Sequence, residues 1–208
     1  MPTTPLKIVV LISGNGSNLQ AIIDAIANGL PVKICAVISN RPEAYGLERA
    51  KKAGIPAYAL SLKDLPSQID PFQPDLIVLA GFMKLLPPEL VDHWETGHII
   101  NLHPSLLPKY RGLHTHQRVL QAQEKQHGIS IHFVSKDLDG GPIIAQMALD
   151  VHSNETMRSL TARIQALEHT LYPTVIHWFA ESRVQLRNNR VYLDDQELPE
   201  NGYNKLMF

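Results

Sequence analysis

Asn101-Leu102-His103 closes the apolar run HIINLH, and strand alternation turns Asn101 and His103 to one face. Strand ends in open α/β sheets are where ligands bind, so an amide and an imidazole converge there. An amide donates a hydrogen bond to a developing oxyanion, and an imidazolium does the same while handling a proton near neutral pH. The pair suits acyl transfer; taken alone it fits equally a hydrogen-bonded strand terminus with a structural histidine. The turn Asp139-Gly140-Gly141-Pro142 adds a carboxylate that, if it faces His103, favours the protonated ring. By itself, Asp-Gly is ordinary hairpin punctuation.

A second cluster, Gly14-Asn15-Gly16-Ser17-Asn18, follows a strand-like run and precedes a helical one. Glycines let the backbone turn sharply, and a helix start offers free N–H groups to an anion such as phosphate. A dinucleotide fingerprint would need a third glycine where Leu19 stands and an acid where Ser39-Asn40-Arg41 closes the next strand. Neither is present, nor is the Gly-Lys-Ser/Thr of a nucleoside-triphosphate loop. A plain strand-to-helix turn explains the glycine pair as well. His114-Thr115-His116 lacks a recognisable metal-ligand set, so it reads as solvated loop histidines and no metal is expected. Gln165 and Glu168 fall off the apolar stripe of their helix, ordinarily a solvated face, and His127, His152 and His169 have no interpretable spacing.

These residues need a scaffold. KIVVLI at 7–12 and VKICAVI at 32–38 read as strands buried on both faces, with Leu19, Ile22, Ile23 and Ile26 between them at helical spacing up to Gly29. A helix around GLERAKKAG ends at Gly54; IPAYAL, DLIVLAG and HIINLH are further strands, and PPELVDHW is a short helix. This alternation predicts βαβ units, hence a Rossmann-like, mostly parallel sheet flanked by helices. From residue 103 the pattern changes. HPSLLPKYRG must be a loop, followed by a helix near 114–127, strands ISIHFV and IIAQMAL around the turn SKDLDGGP, and a long helix from about Asn154. Its stripe is Met157, Leu160, Ile164, Leu167 and Leu171, and Pro173 predicts a kink or break. RVQL and RVYL around Arg187-Asn188-Asn189 form a terminal hairpin, and Leu65–Pro74 reads as a surface connection.

The chain has 208 residues, 44% of them hydrophobic, which suits one domain spanning 1–208. A net charge of −1 offers no footprint for nucleic acid, so small molecules are the expected ligands. Cys35 is the only cysteine and reads as a small buried hydrophobe, which with the absence of a targeting segment points to the cytoplasm. No uncharged run approaches the ~18 residues of a membrane span. Either a monomer or a homodimer fits.

In order along the chain, VVLISGNGSNLQAII, GLERA, VLAGFMKLL, NLHPSLLPKYRGLHTH, HFV, DLDGGPII and LEHTLYP resemble the folate-dependent formyltransferase family over nearly its whole length. The resemblance implies an enzyme that moves the formyl group of 10-formyltetrahydrofolate to the amine of N1-(5-phospho-D-ribosyl)glycinamide in purine biosynthesis, without a metal. It maps a catalytic trio onto Asn101, His103 and Asp139, the substrate phosphate onto Gly16, Ser17 and Asn18, and the substrate ribose onto Glu168. The folate falls on Met83, Lys84, Leu85, Leu86 and Asn101. Residues 1–100 become a phosphate-binding half and 101–208 a catalytic and folate-binding half. Compared with better-known bacterial members, Leu60–Pro74 is short and lacks a folate-contacting arginine, Lys84 replaces a common arginine, and Arg111 replaces a proline. A transfer-RNA formyltransferase would add a C-terminal RNA-binding domain and basic surface, and a formyl-folate hydrolase an N-terminal regulatory domain. A phosphate-binding module without catalysis and a metal-dependent hydrolase are the alternatives from other classes.

Overall fold

The structure is a computed structural model that describes residues 4–94 and 97–206. Its elements run β1 (Leu6–Ile12), α1 (Ser17–Ala27), β2 (Val32–Ser39), α2 (Tyr45–Lys52), β3 (Ala57–Ala59), α3 (Leu65–Ile69), β4 (Leu76–Leu79), α4 (Pro88–His93) and β5 (Ile99–His103). The second half adds α5 (Thr115–Gln121), β6 (Gln126–Phe133), β7 (Ile143–Asp150), α6 (Met157–Ala180), β8 (Val184–Arg187), β9 (Arg190–Leu193), β10 (Gln196–Glu197) and β11 (Tyr203–Leu206).

The main sheet has the order β11-β7-β6-β5-β4-β1-β2-β3. Strands β3, β2, β1, β4 and β5 are mutually parallel, whereas β6 runs antiparallel to both β5 and β7. Chain order reverses between β1 and β4, and such switch points open a crevice beyond the carboxyl ends of the strands. Along β1, Ile8, Val10 and Ile12 enter one core while Val9 and Leu11 enter the other, so both faces are covered. The first core takes residues of α1, α2, α5 and α6, and the second takes residues of α3 and α4. This is the expected Rossmann-like arrangement with a mixed C-terminal part.

The terminal hairpin forms, with Arg187 opposite Arg190 and Asn188-Asn189 at positive φ in the two-residue turn. Its third strand β10, and β11 added parallel to β7, go beyond the reading from periodicity.

Several expectations need correction. The 65–74 segment is more than a surface connection, because Leu65 and Ile69 of α3 are fully buried in the second core. The helix predicted near 114–127 stops at Gln121, since residues from Gln126 onward pair with β7 instead. IPAYAL shortens to the three residues of β3. Pro173 lies inside α6 without ending it. Four stripe residues of α6 are buried as expected, but Met157 at its first turn is exposed. Cys35 is only partly buried, against the second core. Among the described residues no helix is long and apolar enough to cross a membrane.

Candidate active site

The carboxyl ends of β4 and β5, the first turn of α1 and the loops after β4, β5 and β6 surround a cleft of about 540 Å³. Met83, Leu85, Leu113, Leu138 and Met157 are exposed large hydrophobics, and all five line it. Exposed apolar side chains gathered in one concavity mark a ligand surface.

Asn101 and His103 reach the cleft from β5, on one face as alternation requires. Asp139 arrives from the loop between β6 and β7, held in the left-handed region at φ 45°. Its Oδ2 lies 3.4 Å from Nδ1 of His103 and accepts the Gly112 N–H at 2.8 Å. On the other side of the ring, His103 Nε2 lies 2.9 Å from the Tyr110 carbonyl, so both ring nitrogens face oxygen acceptors. The trio predicted from spacing and resemblance is therefore brought together.

A fourth member, His132, was not anticipated. It stands opposite Asn101 in the β5–β6 register, with Nε2 3.2 Å from Asn101 Nδ2 and 3.7 Å from Asp139 Oδ1. Its Nδ1 is 2.8 Å from the Phe133 carbonyl, which assigns the proton to Nδ1 and leaves Nε2 to accept from Asn101. Burial is the main reason its pKa falls below the ordinary histidine value, with the nearby charges of His103 and Arg111 pushing the same way. A neutral His132 thus orients the amide of Asn101, a residue that lines the cleft. The signal in the sequence was a polar residue in the apolar run ISIHFV, two places after Ser130.

At the other end of the cleft, Asn18 of α1 donates from Nδ2 to Glu168 Oε2 at 2.9 Å. Glu168 is only 8% exposed, so the solvated-face reading is corrected: α6 packs that side against α1. Burial raises its pKa, and the Asn18 hydrogen bond opposes the rise. Asn18 Oδ1 is buried without a hydrogen-bond partner, an acceptor aimed at nothing in the protein. Gly16 and Ser17 sit at the start of α1 and do not line the cleft themselves. Gly16 has φ 75°, and a Cβ there would lie 2.7 Å from Gly46 Cα, so the turn requires glycine. Arg49, which the sequence marks only as part of the helix GLERA, braces the loop by donating to the Asn15 carbonyl and to Asn15 Oδ1, each at 2.8 Å.

Met83, Lys84, Leu85 and Leu86 line the cleft together after β4, with Lys84 exposed and Leu86 buried. Ser13 fastens this segment by accepting the Met83 N–H at 2.8 Å. Of the histidines at 114 and 116, only the second departs from the solvated-loop reading. His114 caps the start of α5 at φ 58° and is exposed, but His116 Nδ1 is 2.9 Å from Nε2 of the buried His127. Burial lowers the pKa of both, that of His127 to about 4. Among the described residues, no group of three or more His, Cys, Asp or Glu is placed to hold a metal ion.

Comparison with known proteins is consistent along the chain. The phosphoribosylglycinamide formyltransferase of Escherichia coli (strain K12) is 48% identical over 209 residues, covering 95% of this chain and 98% of that protein. That of Haemophilus influenzae is 44% identical over 208 residues, covering 95% and 98%. The solved phosphoribosylglycinamide formyltransferase from Coxiella burnetii, in complex with CHES, superposes with a TM-score of 0.92 at 50% identity over 96% of this chain and 99% of that one. The enzyme from Anaplasma phagocytophilum gives 0.90 at 36% identity, over 99% and 100%. The formyl transferase sequence profile matches residues 6–176, a span that holds β1 through most of α6 and every cleft residue named above, and the chain belongs to the formyl transferase family.

Proposed function

We propose that the protein transfers the formyl group of 10-formyltetrahydrofolate to the amine of N1-(5-phospho-D-ribosyl)glycinamide, a one-carbon transfer in purine (IMP) biosynthesis. The observation that carries this reading is the meeting of Asn101, His103 and Asp139 in a cleft with apolar walls, in a chain nearly half identical to enzymes of that name over their full length.

The amine attacks the formyl carbon, giving a tetrahedral oxyanion, and the folate nitrogen leaves with a proton while the amine loses one. The second N–H of Asn101, the one not given to His132, and an N–H of His103 stabilise the oxyanion. For Nε2 of His103, that donation exchanges the Tyr110 carbonyl for the formyl oxygen. Asp139, with Oδ2 3.4 Å from Nδ1, favours the imidazolium by its charge and assists proton movement from amine to leaving nitrogen. The apolar side chains of Met83, Leu85, Leu113 and Leu138 suit a flat heteroaromatic ring such as the pterin, with Lys84 and Leu86 beside them. Asn18 Oδ1 and the Glu168 carboxylate suit the hydroxyls of a ribose, and the turn at Gly16–Ser17 opens α1 towards its phosphate. Residues 1–100 would then hold the phosphate and 101–208 the reacting groups, within one domain. Reaction between two dissolved small molecules fits a cytoplasmic setting, as monomer or homodimer.

Formyl transfer is followed by the absorbance of the released folate, in wild type and His103→Ala. Activity in the first and a loss of at least ~100-fold in the second are expected. A folded wild type that binds the ribonucleotide but transfers nothing would leave a binding module as the better reading.

A further inference from the structure

Tyr172 of α6 is fully buried, and its hydroxyl donates to the Leu79 carbonyl at 2.9 Å while lying 3.3 Å from the Ile100 carbonyl. Those carbonyls belong to neighbouring parallel strands at the end of their ladder: the last β4–β5 pair is Leu79 with Asn101. The Ala80 N–H, facing the other neighbour, bonds the Leu11 carbonyl of β1 at 2.9 Å, and among the described residues no β4–β5 pair follows Leu79 with Asn101. Leu79 and Asn101 both line the cleft, and the Ile100 carbonyl is half of the peptide unit whose nitrogen belongs to Asn101.

Packing alone does not ask for a hydroxyl here. A phenylalanine ring would occupy the same space, and a buried hydroxyl must recover its lost hydration through its bonds, leaving a small net effect on stability. What the hydroxyl contributes is geometry. Burial keeps the phenol protonated, and it bridges two backbone carbonyls at the last pairs of the β4–β5 ladder.

We propose that Tyr172 is a positioning residue: by joining the end of β4 to the Ile100–Asn101 peptide, it sets where the Asn101 amide stands relative to His103 and His132. The inference rests on the role given to Asn101 above, because the effect of Tyr172 on turnover passes through that amide.

The test is steady-state kinetics of wild type, Tyr172→Phe, Asn101→Ala and the double variant, below the unfolding transition of each. Tyr172→Phe is expected to lower kcat roughly tenfold or more, since small misplacements of reacting groups are costly, with KM for both substrates within about twofold of wild type. In the Asn101→Ala background the same change should cost nothing further, because the group it positions is gone. The side-chain amide resonances of Asn101 should also move in Tyr172→Phe, a readout independent of activity. If Asn101→Ala is crippled but Tyr172→Phe keeps full kcat, or costs the same factor in both backgrounds, the positioning role is overturned and the site reading stands. If Asn101→Ala itself keeps full activity, the site reading fails and the inference falls with it.

Discussion

Replacing Ser130 by alanine should loosen the loop that holds the catalytic trio. Ser130 is fully buried on β6, and its hydroxyl donates to the Ser105 carbonyl at 2.7 Å while accepting from the Leu107 N–H at 3.0 Å and from Gln146 Nε2 at 2.8 Å. Gln146 gives a second bond to the Leu107 carbonyl at 2.8 Å, and Ser105 Oγ donates to the Lys109 carbonyl at 2.7 Å. Side chains of β6 and β7 thereby pin the irregular stretch after His103, which supplies the Tyr110 carbonyl to His103 and the Gly112 N–H to Asp139. Ser130→Ala orphans a carbonyl and two N–H groups, and the space of one oxygen is below the roughly 10–15 Å³ that a water needs. Each orphaned buried group costs roughly 1–3 kcal/mol, and relaxation recovers part of the sum, so a loss of about 3 kcal/mol is expected. At about 2–4 °C per kcal/mol for a chain of this size, Tm falls by roughly 6–12 °C. Urea unfolding and calorimetry measure this, and kcat should fall in parallel as the loop loses definition. Gln146→Leu shares the same bond, so the double variant should lose less than the sum of the singles. A Ser130→Ala protein within about 0.5 kcal/mol of wild type, or strictly additive losses, would refute the argument.

Other outcomes follow from single groups. Gly16→Ala puts a Cβ 2.7 Å from Gly46 Cα at a φ of 75°; KM for the ribonucleotide should rise about tenfold with kcat little changed, and an unchanged KM would remove the loop from the phosphate site. His127 is held near 4 against an ordinary 6.5, so the unfolded chain takes up its proton first. Its contribution to stability is complete above pH 6.5 and is lost as pH falls towards 4, by up to about 3 kcal/mol. Urea midpoints across that range should flatten in His127→Phe, and a variant as steep as wild type would count against the assignment. For Glu168, burial raises the pKa, so the charged form weakens the folded protein as pH climbs above the carboxylate range. Glu168→Gln should therefore gain stability at pH 7 relative to pH 4 while weakening ribonucleotide binding; a variant that binds as tightly as wild type would separate Glu168 from the substrate site.

Much of this was legible from local chemistry. Strand alternation placed Asn101 and His103 on one face, and the apolar run of β1 announced a strand covered on both sides. The glycine pair marked the turn into α1, and Leu160, Ile164, Leu167 and Leu171 marked the buried stripe of α6. These readings succeed because side-chain direction within a strand or helix repeats with a fixed period, whatever surrounds it. The order of motifs carried the family, and with it Asp139 and Glu168, which no periodicity could have joined to β5 or α1.

The remainder depended on which distant segments meet. His132 enters the site only because the β5–β6 register sets it opposite Asn101, and one step of slip would turn it to the other face. Glu168 became a buried carboxylate through the packing of α6 on α1. Residues 122–127 gave up their helical pattern as pairing with β7 drew Gln126 and His127 into β6, and α3 acquired its role from the core beneath it. Ser130, Gln146 and Tyr172 sit in ordinary apolar patterns, and only tertiary structure brings their polar atoms to the backbone that holds the site. Periodicity chose the face on which each side chain stands; long-range pairing and packing chose what it meets there.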